Sequence, residues 1–151
     1  MEHSNVEIFD RLAELPHFDP QLSIDDPPET VLAFRKLVED ADGVIICTPE
    51  YVYNIPSGLK NAIEWCVSTT VFSNKPLGII TASASGQIGH KQLQFVMKTI
   101  EARFTEETTL LIQGIKGKMD KEGKITDPAT EKAVEEFILN LKNLLIRPAA
   151  I

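Results

Sequence analysis

Three short apolar runs constrain this chain more than any other feature: GVIICT at residues 43–48, PLGIITAS at 76–83 and TTLLIQG at 108–114. Each is close to continuously apolar rather than alternating. That is the pattern of a strand covered on both faces, and such strands belong to parallel sheets. Parallel neighbours cannot be joined by a hairpin, so each needs a crossover, usually a helix. The intervening segments supply one. Leu59, Ala62, Ile63 and Cys66 recur at helical spacing after the first run, and Leu93, Val96, Met97, Ile100 and Phe104 do so after the second.

The flanks continue the alternation. Asp26-Pro27, with Glu29 three residues after the Asp, predicts a capped helix carrying Val31, Phe34, Val38 and Ala41, stopped by Asp42-Gly43. Asp127-Pro128 repeats the signal before Val134, Phe137, Ile138, Leu141 and Leu145. Val6 and Ile8 alternate with polar neighbours, which predicts a further short strand at residues 6–9. Residues 12–28 read as a long loop anchored by Leu12, Leu15 and Phe18. The expectation is an α/β fold with right-handed crossovers, built as one domain over residues 1–151.

Composition narrows the function classes. With 43% hydrophobic and 25% charged residues, the chain of 151 residues is ordinary for a globular domain. A formal charge of −7 and scattered Lys and Arg argue against a nucleic-acid partner. Cys47 and Cys66 sit inside apolar patterns without metal-like spacing, so both are expected as buried, reduced thiols. No run approaches transmembrane length and the opening MEHSNVEIFDRL has no apolar core, which leads us to expect a cytoplasmic protein without membrane contact. His3, His17 and His90 are too dispersed for a shared metal site, and His90 is expected as a surface or capping group.

In open α/β sheets, ligands bind beyond the carboxyl ends of the strands. Two loops fall there, residues 48–58 and 82–90. The first, TPEYVYNIPSG, offers the flat faces of Tyr51 and Tyr53 between the stiffening Pro49 and Pro56. The second, ASASGQIGH, carries Gly86 and Gly89 at the entry to a helix, where backbone N–H groups can approach a ligand. A planar aromatic ligand suits such a pair. An ordinary pair of loops has the same ingredients, and neither a Walker loop, a dinucleotide fingerprint nor a nucleophile elbow is present.

The stretch TPEYVYNIPSGLKNAIEW at 48–65 resembles the PEYN-x-S-x-P-x-x-LKNAIDW signature of the NAD(P)H-dependent FMN reductase family, whose relatives include quinone, azo-dye and chromate reductases. The loop TASASGQIGHKQLQ resembles that family's glycine loop. The resemblance implies a flavodoxin-like three-layer sandwich with a mostly parallel sheet. It implies that Pro49, Glu50, Tyr51 and Val52 lie along an isoalloxazine ring, largely through backbone groups. Ser83, Ala84, Ser85, Gly86, Gln87 and Gly89 would approach the pyrimidine side, with backbone donors stabilising negative charge at the ring's oxygen edge. It further implies FMN as cofactor and NAD(P)H as substrate, with hydride transfer to flavin N5 and two-electron delivery to a small acceptor such as a quinone or free flavin. No side chain need act as a catalytic acid or base. A homodimer or homotetramer would pair through the helix at 59–67, with Trp65 as interface anchor or core.

Two substitutions depart from the signature: Val52 stands for its Asn and Asn54 for its Ser. The family pattern also places a strand, a phosphate-binding loop and a helix, about 25–30 residues, ahead of the strand expected at 6–9. The chain is therefore expected to be truncated relative to the family at that end. Its first two strands would close up and pair, take an edge from another subunit, or lack a neighbour. A non-catalytic interaction module that has lost tight FMN binding is the alternative function, and a flavodoxin-like electron carrier a weaker one.

Overall fold

The computed structural model describes residues 5–147. The three apolar runs form β1 (Val44–Thr48), β2 (Leu77–Ser83) and β3 (Thr109–Gln113), in the spatial order β1-β2-β3. All pairs are parallel, with Ile46 opposite Ile79 and Ile80 opposite Leu110. The helices are α1 (Leu22–Asp25), α2 (Glu29–Asp40), α3 (Ser57–Cys66), α4 (Gln87–Thr99) and α5 (Pro128–Ile146).

The alternation of side chains along each strand sorts the helices into layers. Ile46, Leu77 and Ile79 face Val38 of α2, Ile63 and Cys66 of α3, and Leu93 and Met97 of α4 in the main core. Ile80 and Leu110 face the other way, against Phe137, Leu141 and Leu144 of α5. Helices on both faces of a parallel sheet make the expected three-layer α/β sandwich. α5 is capped as its sequence indicates: Asp127 accepts from the Thr130 amide at 2.9 Å, with Pro128 at the first helical position.

A buried cation ties the long loop to the helices. Arg35 of α2, 8% exposed, donates from Nε to the Trp65 carbonyl at 2.8 Å. Its Nη2 donates to the Ser23 carbonyl and hydroxyl and to the Ser68 hydroxyl at 3.1, 2.9 and 3.1 Å. Leu15, Val31, Ala62 and Trp65 pack beneath it, joined by Leu12 and Phe18, so the expected loop anchors hold. Trp65 is core: it is fully buried, and its indole N–H donates to the Pro16 carbonyl at 2.7 Å.

Several expectations are corrected. Residues 6–9 form no strand; Val6 and Ile8 are 73% and 81% exposed. A strand of this length is stable only against a hydrogen-bonded neighbour, and among the described residues this segment pairs with none. Phe9 instead stacks on Phe34 at 4.9 Å, with Arg11 over its ring. The two strands therefore do not close up, and among the described residues β1 has no neighbour on its outer side, where Ile45 and Cys47 are exposed. Cys66 is buried as expected, and Cys47 is not: the buried side chains of α5 pack on Ile80 of β2 and Leu110 of β3. The Asp26 cap is replaced by a start at Glu29, with no side-chain cap bond. α4 ends at Thr99, short of Phe104.

The seat of α5 depends on a missing side chain. A Cβ on Gly78 would lie 2.6 Å from Phe137 and 3.1 Å from Leu141. Gly78→Ala is expected to destabilise the fold by about 1–3 kcal/mol through overpacking, read as a lower urea midpoint with an unchanged denaturant slope.

Candidate functional site

Because the strands are parallel, their carboxyl ends, Thr48, Ser83 and Gln113, lie at one rim of the sheet. The chain leaves β1 through a tight turn in which Tyr51 and Asn54 exchange both backbone bonds, at 2.9 and 3.0 Å. Its two central residues, Val52 and Tyr53, have φ of 51° and 55°. Positive φ at both positions is the mark of a type I′ turn, which prefers Asn and Gly; a β-branched valine there is strained. The turn projects Tyr51, Val52 and Tyr53 outward, 62%, 95% and 69% exposed. Three consecutive apolar or aromatic side chains thus stand free at the rim.

The glycine loop lies against this turn. Gly86, the N-cap residue of α4, has φ 85°. A Cβ there would come within 2.9 Å of Leu111 and 3.3 Å of Ser83 and Thr81, so close packing and conformation both require glycine. One side chain joins the loops. The Glu50 carboxylate accepts from the Gly86 amide at 3.1 Å and from the Gly89 amide at 2.8 Å. The third strand end is drawn in as well, since the Gly114 amide donates to the Ala84 carbonyl at 3.1 Å.

The structure therefore gathers all the residues singled out from sequence: Pro49, Glu50, Tyr51 and Val52 on one loop, Ser83, Ala84, Ser85, Gly86, Gln87 and Gly89 on the other. Ala84, Ser85 and Gln87 are exposed, Pro49, Glu50 and Ser83 half-buried, and Gly86 and Gly89 buried. Gly86 and Gly89 give their amides to Glu50, so among the described residues Gln87 and Ile88 keep the free donors of the first turn of α4. Sequence reading missed the role of the Glu50 side chain, expecting that residue to act largely through backbone groups. No local spacing signals a bond across 36 and 39 residues.

His90 corrects another expectation. It is 8% exposed rather than at the surface, and its Nδ1 is 2.8 Å from the Thr81 hydroxyl in β2. Burial lowers its pKa from the ordinary value of 6.5. Desolvation raises the pKa of Cys47, although that residue borders solvent, and burial pushes that of Cys66 up to about 12 against the opposing Arg35 charge. A recess of about 760 Å³ lies elsewhere, lined among others by Lys98, Glu101, Arg103 and Glu106, whose formal charges cancel.

The sheet and its two helical layers define a flavodoxin-like α/β protein. Residues 1–115 match the sequence profile of the NADPH-dependent FMN reductases, and the chain belongs to that family. It is 32% identical over 127 residues to a quinone reductase of Escherichia coli, an alignment covering 79% of this chain and 67% of that protein. Similarity to an NAD(P)H:quinone oxidoreductase of Solanum tuberosum is 28% over 144 residues, covering 90% and 73%. Among solved structures, the flavoenzyme FerB of Paracoccus denitrificans superposes with a TM-score of 0.73 at 24% identity, over 89% of this chain and 77% of that one. At that identity the superposition speaks for the fold.

Two predictions follow from the rim. Val52→Asn keeps the turn and removes a β-branched residue from left-handed backbone. We expect a gain of about 1 kcal/mol, seen as a melting temperature higher by about 3 °C. His90 binds a proton more weakly folded than unfolded, so its contribution to stability is complete above pH 6.5 and is lost as pH falls from there through its folded pKa. Urea midpoints should fall between pH 7 and pH 5, and His90→Gln should flatten that decline.

Proposed function

We propose that this protein is an FMN-dependent oxidoreductase that takes electrons from NAD(P)H and delivers them to a small acceptor, a quinone or a free flavin. The observation that carries this reading is the junction of the tyrosine turn and the glycine loop at the strand ends, in a chain of this family. The residues present fit the ring of such a cofactor. Tyr51, Val52 and Tyr53 form an exposed apolar ledge, and the free Gln87 and Ile88 amides at the positive end of α4 offer donors for carbonyl oxygens. When bound, the flavin supplies a two-electron relay between nicotinamide and acceptor.

The protein's part is then positional. Pro49, Glu50, Tyr51 and Val52 line one side of the ring, and the loop from Ser83 to Gly89 frames its polar edge. The backbone supplies the contacts, and the bonded turn and loop hold them in place before binding. His90, buried against Thr81, supports α4 from beneath and has no place at the reacting atoms. A quinone acceptor accords with the names of the relatives, among them a 2-hydroxy-1,4-benzoquinone reductase of Burkholderia.

We further propose a cytoplasmic single-domain homo-oligomer, a homodimer or homotetramer. Two free cysteines support a reducing compartment. No helix among the described residues is long and apolar enough to cross a membrane. The outer edge of β1, unpaired among the described residues and with Ile45 and Cys47 exposed beside it, supports association with another chain.

The test is an FMN titration of the purified protein, followed by quenching of flavin fluorescence, with NADH or NADPH oxidation measured against benzoquinone. Saturable binding near one FMN per chain with quinone-dependent oxidation is expected. Retention of the fold with neither binding nor turnover would favour the interaction module instead.

A further inference from the structure

The carboxylate of Glu50 joins the two rim loops, a contact separate from the backbone's place along the ring. Glu50 is the second residue after β1, yet its carboxylate bonds to amides 36 and 39 residues away. Those amides belong to the N-cap and third positions of α4, two of the donors a helix start leaves unpaired. α4 has no local side-chain cap, because Gly86 stands at the N-cap position. Glu50 supplies that cap from a distance, at the end of the helix where the macrodipole favours negative charge.

A second observation is independent of these bonds. A Cβ on Gly89 would lie 3.1 Å from Glu50 Cγ and 3.2 Å from the Asn54 carbonyl oxygen. The tyrosine turn thus presses directly on the first turn of α4, and a side chain at residue 89 would have to displace the Glu50 stem and the Asn54 carbonyl slightly. Glycine is a poor helix residue, and its presence here is explained by the approach of the Glu50 stem.

We infer that Glu50 is the positioning residue of the rim: its carboxylate clamps the glycine loop to the tyrosine turn and, by occupying the Gly86 and Gly89 amides, leaves Gln87 and Ile88 as the donors that face a ligand. That the ligand is a flavin rests on the function proposed above; the clamp does not. Glu50 acts on bound ligand through the two loops. Removing it frees two more donors and releases the turn from the helix. The site becomes richer in hydrogen-bond donors and poorer in order.

Amide hydrogen exchange at Gly86, Gly89 and Ile79 of the protein without ligand, combined with FMN titration, tests this in Glu50→Ala, Glu50→Gln and Gly89→Ala. In Glu50→Ala, exchange at Gly86 and Gly89 should accelerate about tenfold or more, the scale of losing a charge-assisted bond, while Ile79 in β2 stays protected. FMN affinity should weaken by a similar factor. Glu50→Gln keeps one acceptor oxygen and should fall between. Gly89→Ala raises helix propensity, so a purely local role for residue 89 predicts stabilisation; the clamp predicts faster exchange at Gly86 and weaker FMN binding. Unchanged Gly86 and Gly89 amides in Glu50→Ala, acceleration that spreads equally to Ile79, or FMN binding as tight as in the parent would each overturn the inference. Should the parent show Glu50-dependent protection but bind no FMN, the clamp stands and the flavin reading falls.

Discussion

Parallel pairing of β1, β2 and β3 is the constraint on which the rest depends. A parallel ladder forbids hairpins, so every strand must be followed by a helix that returns the chain to the same starting edge. That single requirement sends Thr48, Ser83 and Gln113 out at one rim, where their loops meet. It also fixes which face each apolar side chain serves. In β2, Ile79 belongs to the core under α3 and α4 and Ile80 to the contact with α5, and a one-residue slip would exchange them.

The edges of that sheet explain what the chain cannot do locally. Residues 6–9 carry an alternating pattern as clear as many strands, and nothing in the pattern specifies a neighbour. With no ladder partner among the described residues, the segment's apolar groups go separate ways: Phe9 to Phe34, Val6 and Ile8 to solvent. Cys47 is exposed for a related reason. The run GVIICT has the composition of a doubly covered strand, yet α5 meets it at Gly43 through Leu145 and leaves Ile45 and Cys47 exposed. Strand type is a local property; coverage belongs to the whole sheet.

The same distinction separates what was legible in the sequence from what was not. Three strands, the faces of α3 and α4, and the Asp127 cap of α5 follow from spacing and turn chemistry within a dozen residues. Both rim loops were legible too, because a parallel sheet dictates where strand ends go. The Glu50 carboxylate was not. Its partners lie 36 and 39 residues on, and only the register of β1 against β2 brings them within 3.1 Å. His90 was misjudged on similar grounds: its place at a helix start suggests the surface, while the Thr81 hydroxyl that holds it comes from the neighbouring strand. The positive φ of Val52 escaped notice because YVYN lacks the Asn-Gly pair by which such turns are recognised.

A rim built from backbone has its own electrostatic logic. Amides and carbonyls recognise a polar ring edge without committing a titratable group, so such a site needs order more than it needs charge. Order at this rim comes from three devices of different range. The Tyr51–Asn54 bonds close the turn on itself, the Gly114 amide ties β3 to the glycine loop, and the Glu50 carboxylate ties the loop to the turn. The last is the one that carries a charge, and its placement at the positive end of α4 lets a protein of net charge −7 hold an acid at the rim. The carboxylate satisfies the outer amides of the first turn and leaves the inner pair open. The open donors of the rim are thereby fewer and better fixed than those of the bare helix start.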